Sequence, residues 1–123
     1  MQYSLDDEEL LEEGLKELEH RTTSQLEQTE VKYGLQMKLD AVGYFRKRFP
    51  EYRKVASRAR GKRMDEYSPL FTADDEPLVV EALQLLLVIT SKLLDNTNSD
   101  IRLRYTAKLS RINNCARRLG LEL

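Results

Sequence analysis

The stretch from Pro77 to Leu94, PLVVEALQLLLVITSKLL, constrains this chain most, because almost none of it can be left in water. Read as a helix at about 100° per residue, its Leu, Val, Ile and Ala side chains cover well over half of the circumference. Only Glu81, Gln84, Ser91 and Lys92 form a polar stripe, and a narrow one. A helix this apolar is expected at the centre of a bundle, touched by neighbours on several sides. A membrane span is the competing reading, since a bilayer core needs about 20 apolar residues. The stretch is short for that. It also carries Glu81 and Lys92, and each charge near a bilayer centre costs about 2.5–3.5 kcal/mol on insertion scales. A buried helix over 77–94 is the expectation.

The remaining patterning is helical too. With 123 residues, 33% of them charged, and only 5 Gly, 3 Pro and no Trp, the chain is sized for one core and lacks the turn residues that β folds require. The predicted fold is all-α: a single-domain helical bundle over 1–123, with about four principal helices plus a short basic helix after Pro50. Ser4 precedes an acidic helix over 5–20 whose apolar line, Leu11, Leu15 and Leu18, is thin. Residues 1–21 are therefore expected to dock only loosely. Thr22 with Gln25 and Ser24 with Glu27 match capping boxes, which predicts a break or kink there. Val31, Leu35, Leu39, Val42, Phe45 and Phe49 then recur at three- and four-residue steps. Pro50 disfavours helical geometry at Phe49 and suits the first position of a new helix, so the chain is expected to turn and restart there. A long loop over 62–76 leads into the central helix. The run DNTNSD, 95–100, caps a last helix over 101–119 that Gly120 ends.

Charge is segregated rather than mixed, although the totals nearly cancel at 20 Lys plus Arg against 21 Asp plus Glu. Asp6, Asp7, Glu8, Glu9, Glu12, Glu13, Glu17 and Glu19 face Lys16 alone in the first helix. Arg46, Lys47, Arg48, Arg53, Lys54, Arg58, Arg60, Lys62 and Arg63 face Glu51 alone in the second pole. Arg104, Arg111 and Arg118, spaced by seven, form a further ridge on the last helix. Such clusters neutralise nucleic-acid phosphates, and Tyr44 and Tyr52 are available to stack on bases. They serve equally to dock on the protein's own acidic arm, or on an acidic protein partner, as heptad-spaced helix contacts do.

Catalytic and cofactor signatures are missing from the sequence. There is no P-loop or dinucleotide fingerprint. One histidine and one cysteine leave Glu17 and His20, an Glu-x-x-His pair on one helix face, as a thin metal candidate. Cys115 reads as a small buried thiol, and a lone cysteine with an acidic start lacking a signal-peptide pattern points to the cytoplasm. The sequence thus predicts a non-enzymatic binding or regulatory protein without cofactor or metal. Its leading partner is DNA or RNA, contacted through 46–63 and the arginine ridge. The alternative is a helical adaptor or oligomerisation protein working through protein contacts with acidic partners.

Overall fold

The computed structural model describes residues 5–30, 33–59, 70–95 and 98–123. They form four α-helices: α1 Leu5–Gln28, α2 Tyr33–Ala59, α3 Glu76–Asp95 and α4 Ser99–Arg118. The all-α bundle is as the patterning predicts. Successive helices run in opposite senses. Glu12 and Glu19 of α1 meet Arg53 and Arg46 of α2, while Asp7 and Glu13 meet Arg118 and Lys108 of α4. The acidic helix α1 packs against all three of the others, and α3 packs against α1 and α4.

Leucine spacing explains why an acidic helix is buried. Leu10, Leu11, Leu15 and Leu18 lie on one face and are at most 2% exposed, so α1 is an integral wall of the core rather than a loosely docked arm. Gly14 sits on the same face, where an added Cβ would stand 2.9 Å from the Ala82 carbonyl oxygen. This is a close crossing of α1 and α3 made possible by the missing side chain. Nor does α1 break at 22–25. Thr22 Oγ1 donates to the Leu18 carbonyl at 2.7 Å, and Thr23 Oγ1 to the Glu19 carbonyl at 2.8 Å. Both hydroxyls are thereby satisfied inside a continuing helix instead of capping a new one.

The separate helix expected after Pro50 is replaced by a single α2 that runs through the proline. Pro50 removes the amide that would bond the Arg46 carbonyl, a defect worth about 3 kcal/mol in a helix interior. Burial on both sides of it offsets that cost. Phe45 and Phe49 are at most 3% exposed, and their ring centroids lie 5.8 Å apart. Phe45 also stands 6.1 Å from Tyr52 beyond the proline. Each large apolar side chain buried contributes about 1.5–3 kcal/mol, enough to hold one apolar face in register across the lost bond.

α3 is long and apolar enough to cross a membrane by length and composition, with a mean hydropathy of 1.8. In the bundle it buries Val79, Ala82, Leu83, Leu85, Leu86 and Thr90. Asp75 caps its start, accepting at its carbonyl from the amides of Leu78 and Val79 at 3.1 and 3.2 Å. At the other end of the chain, the Leu121 amide donates to the Ala116 carbonyl at 2.8 Å and Gly120 takes a φ of 72°. That is a Schellman stop, which needs a glycine at the left-handed position. Leu121 folds back into the core, 8% exposed.

Candidate functional site: charged contacts and the cleft beside α1

The structure brings the basic residues of the sequence to three places. Arg46 and Arg53 lie along α2 and are met by α1 carboxylates, Arg46 by Glu19 and Arg53 by Glu12, each at 2.9 Å. The spacing of seven is shared by both pairs, so two antiparallel helices lock in one register. Arg48 turns to the start of α3. Its guanidinium donates to Asp75 at 2.8 Å and to the Tyr52 hydroxyl at 3.2 Å, and it stacks 4.1 Å above the Tyr44 ring. Thr72 donates to the same Asp75 carboxylate at 3.0 Å. Asp75, 4% exposed, is thus a fully engaged joint between α2 and α3.

The arginine ridge of α4 is divided. Arg111 bonds Asp6, with its Nε at 3.0 Å, and Arg118 bonds Asp7, with its Nε at 2.9 Å. Arg111 holds the Asp6 carboxyl below its usual value, chiefly through this hydrogen bond. Asp7 is fully buried beside Cys115, whose thiol is pushed up by burial first and by the neighbouring Asp7 second. Cys115 is a buried core residue, held in its protonated form. Lys108, outside the predicted set, bonds Glu13 at 2.5 Å.

What remains open is smaller than the sequence suggests. Lys47 and Arg104 are exposed and have no partner among the described residues. Lys54 meets only Glu51, one turn away at 3.4 Å. The side chain of Arg58, and Arg60, Lys62 and Arg63 altogether, lie outside the described residues. Tyr44 is 63% exposed but covered by Arg48, while the Tyr52 hydroxyl is engaged by Arg48 and Asp75. His20 is exposed, and no group of three or more metal-binding side chains converges among the described residues.

Alongside the Glu12 and Glu19 ion pairs runs a cleft of about 610 Å³ between α1 and α2. Leu15, Leu39 and Phe49 supply its apolar side, and Gly43, Lys47 and Pro50 also line it. Sequence reading singled out neither Gly43 nor Pro50 as a site residue, nor the α1 carboxylates as specific counterions. The usable signal was the common seven-residue spacing of Glu12 with Glu19 and of Arg46 with Arg53. No protein-family model, curated protein or solved structure matches the chain, so its chemistry rests on these residues alone.

Proposed function

We propose that this chain is a non-enzymatic helical interaction module acting through protein contacts, the adaptor reading of its charge pattern. One observation carries it. The carboxylates of α1 take up Arg46, Arg53, Lys108, Arg111 and Arg118, so these five cations, four of them from the predicted basic set, already serve the bundle itself. A phosphate ligand would have to displace those carboxylates from a helix whose leucines are core. Removing residues 1–21 would strip out Leu10, Leu11, Leu15 and Leu18 rather than uncover a binding face.

The nucleic-acid reading keeps one supporting feature. Lys47 and Lys54 are exposed on α2, and the sequence continues with Arg58, Arg60, Lys62 and Arg63. The two readings separate in a salt titration against single- and double-stranded DNA and RNA, begun at about 50 mM salt where non-specific contacts are strong. The adaptor reading expects weak binding with a shallow log-log slope. Tight binding whose slope drops by about 0.7–0.9 for each of Lys47 and Lys54 changed to Ala would overturn it.

A further inference from the structure

We infer that the cleft between α1 and α2 is the seat of an acidic amphipathic helix belonging to a partner protein. The inference rests on the protein-contact reading and names its site. α1 turns Leu11, Gly14, Leu15 and Leu18 toward the core, with Leu15 at the floor of the cleft, and Glu12 and Glu19 along the cleft's rim. The opposite wall is α2 from Leu39 to Arg53. At 1.5 Å per residue these walls are about 16–21 Å long, the length of a helix of three to four turns. Two antiparallel helices side by side leave the groove into which a third packs, with side-chain ridges between ridges. No strand edge is present among the described residues to receive an extended peptide instead.

Two residues shape the cleft at the expense of the helix that carries them. Gly43 weakens α2, yet a Cβ built on it meets nothing within 4 Å, so the core does not require glycine there. The space its side chain would fill belongs to the cleft. Pro50 leaves the Arg46 carbonyl without its helical donor, and both residues line the same wall.

Charge selects the occupant. Glu12 and Glu19 are already matched by Arg53 and Arg46 at 2.9 Å, while Lys47 is exposed and without a partner among the described residues. The uncompensated charge of the cleft is positive. A ligand helix that sets one or two apolar side chains over Gly43 and Pro50, with glutamates flanking them, satisfies both features. A second copy of this chain is the poorer fit and is left to the test: the charged side chains of α2 and α4 are predominantly basic, five α1 carboxylates already meet neighbouring helices, and Glu81 of α3 is paired with Lys38.

The test uses the full chain and two fluorescein-labelled 14-residue helical peptides, built of leucine and alanine with leucines at i, i+3 and i+7 and flanked by glutamates in one and lysines in the other. The glutamate peptide is expected to bind at least about tenfold more tightly than the lysine peptide, and Gly43→Leu to weaken it by a similar factor. Because that leucine enters open space, helix content and thermal midpoint should be unchanged or higher, so lost binding cannot be lost folding. Lys47→Glu should narrow or reverse the preference between the peptides. Equal binding of both peptides, or binding that survives Gly43→Leu, overturns the inference. So does self-association, measured by sedimentation, that Gly43→Leu abolishes, since the occupant is then a second copy. None of these outcomes touches the nucleic-acid titration, whose result decides the protein-contact reading independently.

Discussion

α1 and α3 are both core helices, but they reach the core by opposite routes. α3 is apolar nearly all round and leaves part of that surface in water, with Val88 46% and Leu93 44% exposed. α1 is crowded with carboxylates, yet its four leucines are almost fully buried and it touches every other helix. Apolar content therefore does not rank helices by centrality. What places α1 in the middle is a leucine face interrupted by one glycine, with carboxylates on either side that meet cations from two different neighbours. The apolar helix supplies bulk, and the acidic helix supplies position.

The sharpest way to break this contrast is Gly14→Leu. Its Cβ would stand within 3.1 Å of the Ala82 backbone and side chain, which cannot move aside without parting α1 from α3. Loss of the cooperative thermal transition is expected, and a near-normal transition would remove the tight crossing from the account. Leu11→Ala and Leu83→Ala, one on each helix and both fully buried, should each cost about 2–5 kcal/mol in denaturant unfolding. Equal costs would sharpen the comparison. A negligible cost for Leu11 would return α1 to the status of a loose arm.

Smaller effects test the charged flanks. Asp7→Ala leaves Arg118 without its buried acceptor, and because that guanidinium is 37% exposed the cost should be about 1–3 kcal/mol rather than that of a wholly buried charge. Arg111→Gln should cost at most about 1 kcal/mol at neutral pH, as exposed pairs do. The sign of its pH dependence follows from Asp6, whose folded pKa is depressed by Arg111. The pair contributes above the ordinary carboxylate pKa and is lost as pH falls through the depressed one. The stability gap between wild type and Arg111→Gln should therefore close on acidification; a gap that persists in strong acid would mean that Arg111 acts through packing. Val88→Gln, on the wetted side of α3, should stay within about 0.5 kcal/mol of wild type.

The helix pattern of this fold was legible where apolar spacing is dense. α3 and α4 lie close to where periodicity and caps put them, and Asn98 caps α4 by accepting from the Ile101 amide, as the polar run before it suggested. Boundaries failed where a local signal lost to a tertiary one. Pro50 is a strong stop signal, but Phe45, Phe49 and Tyr52 share one buried face across it. Thr22 resembles a cap, but its hydroxyl bonds backward along α1 to the Leu18 carbonyl. Of the predicted site, the segregation of charge was legible and its destination was not. Pairing Glu12 with Arg53 requires the antiparallel register of α1 on α2, which only packing of the two apolar faces sets.

The Asp7 and Arg118 contact also orders events in time. Its partners are separated by 111 positions in the chain. At roughly 5–20 residues per second of synthesis, the Asp7 carboxylate waits on the order of 6–22 s before its guanidinium exists. During that interval α1 has α2 to shelter its leucines, then α3, before the α4 cations that meet Glu13, Asp6 and Asp7 are made. The pairing of α1 with α4 thus waits on the far end of the chain, where Lys108, Arg111 and Arg118 are made in that order to meet Glu13, Asp6 and Asp7.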